Sequence, residues 1–217
     1  MQYKAVLFDM DGVLIDSERQ FFKSFLKTCA EFDLSNMEQV FYDCIGLRSA
    51  DSAVVLQKAL GHLVDLAAFN AAWGDRAEQQ RSKNIPLKSG AQELLSLLQS
   101  AGIPRVVATS TRTQHALHHL QKKAGIYDLL THVVGGDQVS LGKPEPEIYL
   151  KAAATAGFDA QVCAAFEDSD PGTLAAVRSG ATTVQVPDLK PPSQKTLALG
   201  HMVAHDLLTG AEKIGLI

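Results

Sequence analysis

Two aspartates stand two positions apart at the end of an apolar run, in "AVLFDMDGVLIDSE" (residues 5–18): Asp9, then Asp11 and Gly12. Three further apolar runs end in polar groups of other kinds. One gives Thr109, Ser110 and Thr111; one leads to Gly142-Lys143-Pro144; one gives Glu167, Asp168 and Ser169. A lone aspartate in such a place is ordinarily a turn former or helix cap. Four acids, a hydroxyl cluster and a lysine form a complementary set that independent turns would not supply. At about 4 Å and an effective dielectric near 20, each like-charge pair costs about 4 kcal/mol, and Lys143 alone cannot offset that. A hard divalent cation with oxygen ligands can, and Mg²⁺ suits a few carboxylates completed by a substrate phosphate. Hydroxyls, amides and an ammonium would hold the equatorial oxygens of a phosphoryl group. Phosphoryl transfer is the chemistry this set implies.

The elements that must gather these groups can be read from the pattern around them. The windows 3–9, 104–110, 131–137, 162–168 and 182–188 have the length and β-branched content of buried strands. Helical patterns lie between them: "SGAQELLSLLQSAG", "RTQHALHHLQKKAG", "PEPEIYLKAAATAG" and "PGTLAAVRSG", with proline at some starts and glycine at the ends. Strands that are apolar throughout and alternate with helices predict an α/β fold, a Rossmann-like parallel sheet covered on both faces. Its working site is expected at the carboxyl ends of the strands. Residues 17–84 break the rhythm. Phe21, Phe22, Phe25, Cys29 and Phe32 make one helical stripe, two more helical patterns follow over 49–61 and 65–83, and no strand is evident. The expected organisation is a core of 1–16 and 85–217 with a helical cap subdomain at 17–84, hinged at Asp16–Ser17 and over 83–90.

Bulk properties narrow the classes. The 217 residues can bury a real core, and apolar (46%) and charged (20%) fractions are those of a globular protein. A net charge of −4 speaks against a nucleic-acid partner. No apolar run approaches the roughly 20 residues of a membrane span, and acids at 9 and 11 interrupt the only N-terminal apolar stretch. Three scattered cysteines, Cys29, Cys44 and Cys163, read as reduced thiols, which fits a cytoplasmic protein.

The motifs "DMDGV", "ATST", "GKPEPEIY" and "FEDSDPGTLAA" resemble the four successive motifs of the haloacid dehalogenase-like hydrolase superfamily. Their spacing is similar to that of its β-phosphoglucomutase-like branch, with a small helical cap after the first strand. The resemblance covers essentially the whole chain; the first and last motifs together carry its specificity. It implies a phosphatase of a small phosphorylated metabolite, a sugar phosphate above all, working as a monomer or weak dimer. Asp9 would be the nucleophile and Asp11 the general acid and base. Thr109, Ser110 and Lys143 would bind the phosphoryl group. Mg²⁺ would be held by Asp9, the Asp11 main-chain carbonyl and Asp168, with Glu167 assisting. Arg48, in "GLRSADS", would contact substrate from the cap. Mutase members carry a histidine on the first cap helix where this chain has Phe21, so hydrolysis is expected over a phosphohexomutase. A phospho-accepting receiver domain shares acids, Thr and Lys, but in another order and without a cap.

Three other signals have plainer readings. His115, His118 and His119 fit a solvated helix face, Trp73 and the phenylalanine stripe fit a cap core, and "LKPPSQK" (189–195) is a short proline-rich loop.

Overall fold

In a computed structural model of the chain, residues 3–81 and 84–217 are described. Six strands, β1 (Ala5–Phe8), β2 (Arg105–Ala108), β3 (His132–Val134), β4 (Cys163–Glu167), β5 (Thr182–Gln185) and β6 (Met202–Val203), form one sheet. Their order is β3-β2-β1-β4-β5-β6 and every pairing is parallel.

Alternation along these strands builds two cores. Val6, Phe8, Val107, Ala164, Phe166 and Val184 face α5 (Ala91–Ser100) and α10 (Leu207–Lys213). Ala5, Leu7, Val106, Ala108, Cys163 and Ala165 face α7 (Glu147–Thr155) and α8 (Asp170–Arg178). Both faces are therefore dry, which is why the strands read as unbroken apolar runs rather than alternating ones. Phe8 and Phe166 stack across β1 and β4, centroids 5.3 Å apart. The chain runs outward from β1 to β3 on one side and restarts at β4 on the other. The β1–β4 gap is thus the switch point at which α/β sheets hold ligands.

A third core is separate from these. Helices α1 (Glu18–Glu31), α2 (Glu38–Tyr42), α3 (Ser49–Leu60) and α4 (Leu66–Arg81) surround Phe25, Phe41, Leu60 and Phe69. Phe25 lies against Trp73 and Phe69 edge-on, at 5.2 and 5.8 Å, so the stripe read from the sequence is packing. The two connections to the sheet run side by side. Asp16 N–H donates to Pro86 C=O at 2.8 Å and Lys88 N–H to Leu14 C=O at 3.0 Å.

The structure corrects the sequence reading in several places. Strands are shorter than their windows, because the residues past each strand leave the ladder to make turns. α2, β6, α10 and the four-residue α9 (Gln194–Leu197) went unread. The pattern over 112–125 is α6 (Thr113–His118) followed by a wider π-helical turn, His119–Lys123. His115 and His118 are exposed as expected, but His119 is buried in the core. The helix expected over 65–83 and the hinge loop over 83–90 extend into residues 82–83, outside those described. All three cysteines are free thiols. Among the described residues no helix is long and apolar enough to cross a membrane.

Candidate active site

β1 delivers Asp9, whose amide continues the ladder by donating to Phe166 C=O at 2.9 Å. The chain then turns sharply. Gly12 has φ +83°, and its N–H donates to Ile15 C=O at 2.9 Å. A side chain here would be strained, and its Cβ would overlap the Asp168 carboxylate. That close approach lets the acids of β1 and β4 share one pocket.

The centre is Lys143. Its ammonium, almost fully buried, donates at 2.5 Å to both Asp9 Oδ1 and Glu167 Oε1, and the ring of Tyr149 lies 5.3 Å from Nζ. Burial alone would lower its pKa, but the two carboxylates outweigh that and hold it above the usual lysine range. Glu167 is fully engaged: Tyr149 hydroxyl donates to Oε1 at 2.8 Å, while Oε2 accepts from the amides of Asp168 and Ser169 and from Ser169 Oγ at 3.0–3.2 Å. Ser169 also caps α8, accepting from Gly172 N–H. Asp168 is oriented through its backbone, its carbonyl accepting from Gln185 Nε2 at 3.2 Å.

Asp9, Glu167 and Asp168 each offer an oxygen within 4.8 Å of the others, all three buried. Burial pushes Asp9 up to about 8, with Glu167 and Asp11 adding to it and Lys143 opposing. Burial likewise raises Asp168 well above the carboxylate range, reinforced by Glu167 and Asp9. One ammonium leaves this nest short of positive charge. An all-oxygen donor set with that deficit fits a hard divalent cation such as Mg²⁺. Among the described residues no other group of His, Cys, Asp or Glu side chains could hold a metal, and the three histidines near 118 do not.

Asp11 is held apart from this nest. Ser17 Oγ donates to its Oδ1 at 2.5 Å and Thr111 Oγ1 to its Oδ2 at 2.9 Å. The two-residue offset therefore sends the carboxylates of Asp9 and Asp11 to different neighbours across one turn. Thr109, buried after β2, accepts from Thr111 N–H at 3.1 Å. Ser110 Oγ donates to Gly46 C=O in the helical part at 2.9 Å. Arg48 ion-pairs with Asp51 at 3.0 Å and donates to Ser140 C=O at 3.1 Å, so its guanidinium ties the α2–α3 turn to the sheet. Above Thr111 a cavity of about 360 Å³ opens between the sheet and the helices, with Glu18 and Trp73 in its wall. Burial, aided by Asp11, Asp9 and Asp188, pushes Glu18 up to about 8.

Asp9, Lys143, Glu167 and Asp168 are thus brought together, with Asp11 and Thr109 beside them. The sequence reading did not assign Ser17, Tyr149, Gln185 or Glu18, and placed Thr111 only within the hydroxyl cluster. Ser17 and Glu18 follow Asp16 directly and Tyr149 closes the "GKPEPEIY" motif, so proximity to motifs was the one available signal.

A family model, haloacid dehalogenase-like hydrolase, matches residues 3–180, and the chain belongs to that family. A phosphorylated carbohydrates phosphatase of Thermotoga maritima is 30% identical over 177 residues, 82% of this chain and 82% of the relative. Hexitol phosphatase B of Escherichia coli is 28% identical, covering 95% of this chain and 97% of the relative. The solved structure of a β-phosphoglucomutase from Clostridium difficile superposes with a TM-score of 0.75 over 93% of this chain and 90% of that one. At 18% identity it shows the fold alone.

Proposed function

We propose that this chain is a Mg²⁺-dependent phosphatase of a small phosphorylated metabolite, a sugar phosphate in particular, working through an aspartyl-phosphate on Asp9. The observation that carries the reading is Lys143 bridging Asp9 and Glu167 beside a three-carboxylate nest, with Asp11 held separately one turn away. The Thermotoga and Escherichia relatives, named for carbohydrate and hexitol phosphates, support the substrate class.

In this reading a free oxygen of Asp9 attacks phosphorus in line while the bond to the leaving oxygen breaks. Asp11 gives its proton to that oxygen as the alcohol departs. It then takes a proton from the water that attacks the phosphorus of the aspartyl-phosphate, releasing phosphate and restoring Asp9. Ser17 and Thr111 hold Asp11 in line for both transfers. Lys143 and Thr109, with the Ser110 amide, bind the phosphoryl oxygens, and Glu167 fixes Lys143. Asp9, the Asp11 main-chain carbonyl and Asp168 would hold Mg²⁺, with Glu167 assisting. When bound, Mg²⁺ supplies the positive charge that lets a carboxylate approach a phosphate dianion. Phe21, in the cavity wall, offers no proton carrier to a returning sugar hydroxyl, which supports hydrolysis over mutase chemistry.

A phosphate-release screen across phosphorylated metabolites, with and without Mg²⁺, tests this. Metal-dependent release from sugar or polyol phosphates is expected, and none from Asp9→Asn. Isomer formation from a hexose 1-phosphate and its bisphosphate, without free phosphate, would overturn it in favour of a mutase.

A further inference from the structure

The 360 Å³ cavity is large enough for a small metabolite, and its lining is chemically lopsided. Among the described residues no lysine, arginine or histidine faces it, and Glu18 is its one acid. The guanidinium of Arg48, beside the lining residues Leu47 and Ser49, pairs instead with Asp51 and Ser140. Glu18 sits on the first turn of α1, and its carboxyl receives no hydrogen bond from any other described residue. A half-buried carboxyl without a partner is unmet hydrogen-bonding capacity, and a ligand is the natural source of one. Ser52 and Asn70 add neutral donors and acceptors to the wall. Trp73 adds a flat apolar face, its indole N–H already donating to Ser24 Oγ at 3.2 Å. The cavity reaches Thr111, whose hydroxyl holds Asp11, so it opens beside the proposed general acid.

Resting on the phosphatase reading above, we propose that this cavity takes an uncharged, polyhydroxylated leaving group, that Glu18 recognises its hydroxyls, and that a wall without cations disfavours a second phosphate. An acid, an amide and an aromatic wall suit the hydroxyls and C–H faces of a polyol. A second phosphate needs cations or bidentate donors. The described lining supplies no lysine, arginine or histidine to meet one. Glu18 is in this account a specificity-determining residue.

The test measures kcat and KM, with Mg²⁺ and for wild type, Glu18→Gln and Glu18→Ala, on four esters. These are a hexitol monophosphate, the matching hexose bisphosphate, an amino-sugar monophosphate and p-nitrophenyl phosphate, whose leaving group has no hydroxyls. Wild type is expected to favour the hexitol ester over the bisphosphate by roughly tenfold or more in kcat/KM. Glu18→Ala should lower the hexitol to p-nitrophenyl ratio by roughly ten- to a hundredfold, mainly through KM. Glu18→Gln keeps the shape and a hydrogen-bonding group. It should retain most of that ratio and leave the gap to the bisphosphate in place. A ratio that moves less than about threefold in Glu18→Ala, a bisphosphate used as well as the hexitol ester, or a preference for the amino sugar would each overturn the proposal. Release from no ester at all, p-nitrophenyl phosphate included, would instead overturn the phosphatase reading beneath it.

Discussion

Lys143 holds two carboxylates with a single ammonium, and all three groups are buried. Removing it strands Asp9 and Glu167 without a counter-charge. Lys143→Met is therefore expected to cost about 3–5 kcal/mol in urea unfolding of the metal-free protein, and to abolish phosphate release. A variant as stable as wild type would show that the ammonium is not what balances the nest. The raised carboxyls make a second prediction. An acid whose folded pKa lies above its unfolded value holds a proton that the unfolded chain has released. Each such group therefore takes stability away as pH climbs from about 4 toward its folded value, about 8 for Asp9 and for Glu18. The metal-free Tm should fall across that window, and Mg²⁺ should raise Tm more at pH 8 than at pH 6. Equal Mg²⁺ shifts at the two pH values would contradict the charge-deficit account. At this scale the acids and the lysine were legible in the sequence, because their type conflicts with their place at the ends of apolar strands. Ser17 and Tyr149 were not, and Thr111 only as one of a hydroxyl cluster, since nothing in a hydroxyl's identity says that it faces Asp11 or Glu167.

The turn after β1 and the N-terminus of α8 work as a pair of elements. The first can approach the second only because Gly12 carries no side chain. Gly12→Ala places a Cβ at positive φ against Asp168, a strain of about 1–3 kcal/mol. It should lower stability by about that much and weaken apparent Mg²⁺ affinity in titrations of phosphate release. Unchanged Mg²⁺ affinity would mean that the turn does not position Asp168. The five longer strands and their helices were readable because dry faces impose continuous apolar runs and helices need their stops. β6 and α9, two and four residues long, are too short to show a period. His119 shared an apparently solvated stretch yet is buried, because with Ala116 and Leu120 it occupies the i, i+3, i+4 face that the helix turns to the core.

Across the whole molecule, the helical part is fastened to the sheet at a few polar points. Asp188, its side chain fully buried in the loop after β5, pairs with Arg19 of α1 at 2.8 Å and with Lys88 of the returning connection at 2.7 Å. Gly46 and Arg48 add contacts to Ser110 and Ser140. Asp188→Asn removes the charge that joins both connections, leaving a cost of about 1–3 kcal/mol for imperfectly paired buried groups. A lower Tm and faster limited proteolysis between the two parts are the expected outcomes; identical digestion kinetics would show the pairing to be incidental. None of this seam was legible in the sequence, because it joins residues far apart in the chain through ordinary surface types. In the proposed function all of it serves a single act at Asp9. The direct measurement is peptide mass analysis of protein acid-quenched during turnover with Mg²⁺ and a hexitol phosphate. The account predicts a phosphoryl group on the peptide bearing Asp9, absent in Asp9→Asn; sustained turnover with that peptide unmodified would contradict it.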